Sequence, residues 1–173
     1  ENKRWTKQYF ETDGLNVPGV TTISGKPMGG WIQYSMSPTT AAWLAQHFYL
    51  QWKYGMDKKF LLQKSIPYAG DIKKYLTNLL SKGDSQLLPL SSSPEYFDNS
   101  IKAWFKNYTN YDLALVHYLF YLNNMHYLDS LTATKGGYGM VGLRKPALPE
   151  FDTNETGLTV APGQNLDESH RHF

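Results

Sequence analysis

Ser37-Pro-Thr-Thr-Ala-Ala-Trp43-Leu-Ala-Gln-His47-Phe-Tyr-Leu-Gln-Trp52-Lys-Tyr-Gly55 is a helix with both ends marked. Ser37-Pro38-Thr39 is a start signal, with Pro38 suited to the first helical position. Ala41 through Tyr54 contains neither Gly nor Pro, and Gly55 is a ready stop. Trp43, Leu44, His47, Phe48 and Leu50 to Trp52 make the stretch apolar nearly all round. Such a helix is expected to be buried between neighbours rather than to lie on a surface. In that company His47 reads first as a core histidine and second as a functional one.

The pattern continues outward from this helix. Met56 to Gln63 predicts a short helix, and Ile66-Pro67 opens another running to about Lys82, with Gly83 as its stop. Ile66, Ala69, Ile72, Leu76, Leu79 and Leu80 keep the i, i+3, i+4 stripe of a packed face, while Lys73, Lys74 and Lys82 fall off it as a solvated one. A further helix is expected from Asp112 to about Leu128, its core stripe Leu115, Val116, Leu119 and Leu122. Asp112 lies in its first turn, where an acidic side chain stabilises the helix dipole by about 0.3–1 kcal/mol.

Residues 1–36 are broken too often by Asp13-Gly14, Pro18-Gly19, Gly25-Lys26-Pro27 and Gly29-Gly30 for a long element. They predict a loop-rich arm, with a short extended piece at Val20 to Ile23, packed down by Trp5, Tyr9, Phe10, Trp31 and Tyr34. Trp31 reads equally as such an anchor or as a wall facing a sugar. From Leu131 onward Gly136-Gly137, Gly139, Gly142, Pro146, Pro149, Gly157 and Pro162-Gly163 end helicity. Residues 129–173 are therefore expected to form an irregular connection, with a short hairpin at Leu158 to Ala161. The sum is an all-α architecture of successive helix pairs with polar, functional loops between them.

One of those loops is Leu90-Ser91-Ser92-Ser93-Pro94-Glu95, within the stretch 90–110. Pro94 fixes its own φ and pushes Ser93 toward an extended conformation, so Glu95 is presented from a stiffened loop. The plainer reading makes Ser93 an N-cap and Glu95 a first-turn acid.

Composition narrows the chemistry. Hydrophobic residues are 41% of the 173, enough for a core. The 5 Trp and 13 Tyr suit either helical cores or the stacking platforms of carbohydrate sites. A net charge of +2 with intermixed signs, and no basic cluster facing aromatics, argues against nucleic acid. Without cysteine there is no disulfide framework and no thiolate chemistry. No apolar run approaches the roughly 20 residues of a membrane span. The chain begins at Glu1 without a signal-like segment and closes on Glu168-Ser-His170-Arg171-His172-Phe173, which reads as a fragment or processed piece. His170 and His172 lack the further ligands a zinc site needs, so no metal is expected; Arg171 offers a planar donor fork suited to sugar hydroxyls. Asn107-Tyr-Thr109 and Asn154-Glu-Thr156 match the N-glycosylation pattern, a motif too short to carry weight. A carboxylic acid on a stiff loop, aromatic walls and an Arg/His cluster point to glycoside chemistry, which needs one carboxyl to protonate the leaving oxygen and a second to activate water or attack. Glu95 fits the acid, and Asp112 is the nearest second carboxylate in sequence. Nucleophilic-serine and phosphate-binding glycine motifs are absent.

Asp13-Gly-Leu-Asn-Val-Pro-Gly19, Met28-Gly-Gly-Trp31, Ser37-Pro-Thr39 with Trp43-Leu44 and His47, Ser91-Ser-Ser-Pro-Glu95 with Asp98-Asn99, Asn110-Tyr-Asp112 and Glu168-Ser-His-Arg-His172 occur in this order. In that order they resemble the catalytic domain of glycoside hydrolase family 95, α-L-fucosidases with some α-L-galactosidase members. The resemblance implies an (α/α)6 barrel, an inverting mechanism, a glycan substrate, no cofactor and an extracellular or periplasmic setting. It places the general acid on Glu95 and sugar contacts on Arg171 and His172, with Trp31 or Trp43 as the pocket tryptophan. His47 and Asp112 occupy recurrent positions and are expected to line the substrate site. The family's base is an Asp downstream of His-Arg-His, assisted by Asn residues from an upstream motif, and 129–163 departs from the family's run of helix. Residues 1–173 are thus expected to be the middle of one barrel, with the rest of its own catalytic domain as partner and little hydrolysis or solubility alone. The alternatives are a non-catalytic carbohydrate-binding relative and another helical-toroid sugar enzyme, a lyase or phosphorylase.

Overall fold

The computed structural model describes residues 1–82, 88–92, 96–133 and 147–165. The described chain is mostly helical, and its frame is three helices: α3 (Thr40–Gly55), α5 (Ile66–Leu80) and α6 (Asn110–Ala133), each packed on the other two. The shared core is built from Ala41, Ala42 and Ala45 of α3, Ile72, Tyr75, Leu76 and Leu79 of α5, and Val116, Leu119 and Leu122 of α6. The stripe predicted on α5 is buried in full.

α3 departs from expectation in how much of it is buried. Its first turns bury only Ala41, Ala42 and Ala45, so neighbouring backbones approach closely there, and Trp52 is buried near its end, while Trp43, Leu44 and Leu50 remain exposed. His47 is exposed with them, not a core histidine. Gly55 is the last helical residue rather than the stop; Met56 takes the left-handed position at φ 49° and donates its N–H to the Trp52 carbonyl at 2.7 Å. Asp57 then caps α4 (Lys58–Phe60), accepting from the N–H groups of Lys59 and Phe60 at 2.8 and 3.2 Å.

α4 passes through a π-helical turn, Leu61–Ser65, straight into α5. Pro67 explains the widened turn. Proline has no N–H to donate backward and its ring crowds the carbonyl four residues earlier, a conflict that a local π turn relieves.

The arm 1–36 holds two helices where loops were expected, α1 (Asn2–Phe10) and the single turn α2 (Ile32–Ser35). α1 carries Trp5, Tyr9 and Phe10 among polar residues, and its last residue ties it to the core: Trp5 meets Phe10 edge-on, and Phe10 meets Tyr75 of α5 the same way. The piece expected extended at Val20 to Ile23 makes one bridge, Thr21 to Pro27.

The loop region 90–110 is organised by an antiparallel pair, β1 (Leu88–Ser92) and β2 (Trp104–Asn107), with Ser91 opposite Phe105 and Ser92 opposite Trp104. An irregularity between Leu88 and Ser91 breaks the alternation that would have announced a strand. α6 runs to Ala133, five residues past its expected end. A small hairpin follows at β3 (Thr153–Asn154) and β4 (Gly157–Leu158), slightly before the one expected. No helix among the described residues is long and apolar enough to cross a membrane.

Candidate active site

The N-terminal ends of α3 and α6 lie side by side, and the polar segments of the chain gather on them. Thr109 caps α6: its Oγ1 accepts from the Asp112 N–H at 3.2 Å, and its carbonyl accepts from the Leu113 N–H at 2.9 Å. In a reciprocal capping box the acidic side chain would reach back to the Thr109 N–H. Here that N–H donates to Ser91 Oγ at 2.8 Å instead, leaving the Asp112 carboxylate for other partners.

Those partners come from two distant segments. Oδ1 accepts from Thr39 Oγ1 at 2.5 Å, and Oδ2 accepts from Ser91 Oγ at 2.5 Å and from the Ser92 N–H at 3.3 Å. Asp112 is completely buried. Burial pushes its carboxyl up to about 6, while the bonds from Ser91, Thr39 and Ser92 hold it down. Thr109 Oγ1 donates to the Ser92 carbonyl at 2.9 Å. Each hydroxyl has one proton, so with these donations made, the 3.0 Å approach of Ser91 Oγ to Thr109 Oγ1 is a contact rather than a further bond.

The rest of the surroundings is tied in by the same chemistry. Asn110 donates to the carbonyls of Asp152 and Thr159, both at 2.8 Å, and accepts from the Asp152 N–H at 3.1 Å, docking the 152–160 segment on the start of α6. Gln33 of α2 donates to the Ser100 carbonyl at 3.0 Å. Beneath, Tyr75 is fully buried, and burial together with the Asp112 charge pushes its phenol well up.

An aromatic surface flanks this centre. Trp31, 60% exposed, stacks on Tyr34 with centroids 6.0 Å apart. Trp43, 52% exposed, meets Tyr111 edge-on at 6.3 Å. Tyr34 and Tyr111 feel one another: the Tyr111 phenol is pushed up by burial first, then by Asp112 and Tyr34. His47 lies one turn beyond Trp43 on the same side of α3.

Of the residues named from the sequence, Asp112, Trp31 and Trp43 come to this region. Glu95, Arg171 and His172 lie outside the described residues. Ser91, Ser92, Thr39 and Tyr111 stand in the quoted motifs but were not named as site residues. Thr109-x-x-Asp112 is a capping-box pattern ahead of an apolar run, and it was the available signal. No group of three metal-ligating side chains occurs among the described residues.

Helices whose connecting segments converge on a buried carboxylate beside exposed aromatic rings belong here to a glycoside hydrolase catalytic domain. The family model that fixes this is that of the glycosyl hydrolase family 95 catalytic domain, which matches residues 1–157, and the chain belongs to that family. Neither the curated proteins nor the solved structures contain a match.

Proposed function

We propose that this chain supplies the general acid and part of the sugar pocket of an exo-acting, inverting enzyme. It would remove terminal α-L-fucosyl or α-L-galactosyl residues from oligosaccharides outside the cell or in the periplasm, on an (α/α)6 barrel. The observation that carries the reading is the family match, whose span includes Ser91-Ser-Ser-Pro-Glu95. Glu95 protonates the glycosidic oxygen as the C–O bond breaks, and water attacks the opposite face of the sugar. Trp31 and Trp43 offer apolar faces for the sugar's C–H surface, with His47, Arg171 and His172 as hydroxyl partners. A second carboxylate of the inverting pair is not assigned to this chain.

The test is hydrolysis of α-L-fucosyl and α-L-galactosyl oligosaccharides by the protein produced with any sequence that flanks this chain, wild type beside Glu95→Gln. Activity lost only in the variant supports the acid role. Equal activity in both moves the acid elsewhere. No activity with retained glycan binding in both favours a non-catalytic carbohydrate-binding relative.

A further inference from the structure

We infer that Asp112 is a positioning residue for the acid-bearing segment: it acts through Ser91 and Ser92 on the residues that follow them, and does not touch substrate. The inference rests on the proposed role of Glu95, three residues beyond Ser92 in the chain. Asp112 has no surface exposed, so it contacts neither sugar nor water directly. Both its oxygens are used by protein donors.

What it holds is the end of β1. Ser91 and Ser92 are fixed at four points: Ser91 Oγ to Asp112 Oδ2 at 2.5 Å, the Thr109 N–H to Ser91 Oγ at 2.8 Å, the Ser92 N–H to Asp112 Oδ2 at 3.3 Å, and Thr109 Oγ1 to the Ser92 carbonyl at 2.9 Å. Strand pairing ends there too, at Ser92 opposite Trp104. Through Thr39 the same carboxylate is joined to the start of α3, so β1, α3 and α6 share one ionised anchor. A neutral asparagine of equal size would present a donor where all three partners are donors. The requirement is therefore for a carboxylate, whose burial is unfavourable unless hydrogen bonds offset it, and those bonds come from Thr39, Ser91 and Ser92.

Leaving groups separate this role from plain stability. An alcohol leaving from an oligosaccharide needs the acid's proton; fluoride leaving from the corresponding glycosyl fluoride departs as an anion and needs none. Glu95→Gln sets the reference: a large loss on the oligosaccharide and a small one on the fluoride. Asp112→Asn and Ser91→Ala are expected to copy that split. Their kcat on the oligosaccharide falls about 100-fold, the effect of a misplaced catalytic group, with KM nearly unchanged. On the fluoride they stay within about threefold of wild type, because proton donation is not in use. Asn16→Ala, which weakens the fold at α3 without touching β1, keeps the wild-type ratio between the two substrates while lowering Tm. If Glu95→Gln shows no split, the acid assignment is wrong. If Glu95→Gln shows it while Ser91→Ala and Asp112→Asn lose both activities equally or neither, the positioning role is overturned and the acid stands. Should Asp112→Asn fail to fold, Ser91→Ala against Asn16→Ala decides alone.

Discussion

Asn16, on the loop after α1, caps α3 from 25 residues away: its Oδ1 accepts from the Ala41 N–H at 3.2 Å. The reason is local. Thr39 precedes the helix and makes no side-chain cap; its hydroxyl is turned to Asp112 instead. The orphan N–H of the first turn is then satisfied by a residue from another segment. Asn16 Nδ2 also donates to the Ser37 carbonyl at 2.8 Å and to Tyr75 Oη at 3.4 Å, and all of Asn16 is buried. Asn16→Ala leaves the Ala41 N–H and Ser37 carbonyl unpaired in the interior. The expected loss is about 2–3 kcal/mol, a cap plus a buried bond. Urea denaturation measures it, and a loss under about 0.5 kcal/mol would remove the cap assignment.

Gly14 illustrates a different constraint on the same loop. Its φ is +112°, and a Cβ there would lie 2.4 Å from the Tyr75 backbone nitrogen and 2.6 Å from the Asp71 carbonyl oxygen. The loop rests directly on the α5 backbone, with Leu15 N–H donating to Asp71 at 3.0 Å. Backbone cannot yield as a side-chain tip does, so Gly14→Ala is expected to destabilise by about 3 kcal/mol or more. Gly29 also has a positive φ, +81°, but faces open space. Gly29→Ala should cost only the left-handed backbone penalty, about 1–2 kcal/mol. Thermal melts of the two variants side by side test the difference, and similar shifts would contradict the close approach at Gly14.

Two buried titrating groups give pH dependences of opposite sign. His126 has Nε2 2.8 Å from Ser65 Oγ, and its buried Nδ1 has no hydrogen-bond partner among the described residues. Burial pushes the ring down from 6.5 to about 4, with Asp129 pulling weakly upward. The unfolded chain therefore binds the proton first, and the stability that neutral His126 contributes is lost as pH falls from about 6.5 to about 4. Asp112 is raised from 3.8 to about 6, so the folded chain holds its proton longer, and stability is lost as pH rises through that window. Each shift is on the order of 3 kcal/mol, so the two nearly cancel. Wild-type stability should therefore change little on their account across the shared window. His126→Asn should expose the Asp112 slope, becoming less stable toward neutral pH, and Asp112→Asn the reverse. Denaturant titrations at several pH values would show this, and slopes of the same sign in both variants would refute it.

These features were unevenly legible. The stripe from Ile66 to Leu80 announced α5 because each apolar residue there faces one core. The ordered short motifs announced the family, now matched over residues 1–157. α1 was hidden because Asn2–Phe10 buries only Trp5 and Thr6, and its position depends on Tyr75 far along the chain. α3 was expected to be buried all round because large apolar side chains outweigh alanines in any sequence pattern, whereas its close helix packing uses Ala41, Ala42 and Ala45 and leaves Trp43, Leu44 and Leu50 exposed. β1 and β2 were missed because Pro89 and an irregular register break their alternation. Asp112 was seen as a first-turn acid, but its partners Thr39 and Ser91 are 73 and 21 residues away, a distance no local pattern bridges.

The aromatic surface yields the last prediction, and it separates binding from folding. Trp31 and Trp43 expose more than half their area, yet each rests on a tyrosine, Tyr34 and Tyr111 respectively. Rings held this way lose little freedom when a sugar stacks on them, which favours binding. If the proposed pocket is right, truncating either removes contact with a bound glycan while leaving the helical core intact. Trp31→Ala and Trp43→Ala are each expected to weaken oligosaccharide binding by about 1–2 kcal/mol, roughly 5- to 30-fold. Trp43→Phe should recover most of the loss because it retains a flat apolar face. Tm should move by less than about 2 °C, as for surface substitutions outside a core. Calorimetric titration with an unhydrolysed oligosaccharide in the Glu95→Gln background measures the affinity without turnover. Unchanged affinity in both tryptophan variants would show that the glycan lies elsewhere, whereas a large fall in Tm with the affinity loss would mean that the rings serve the fold.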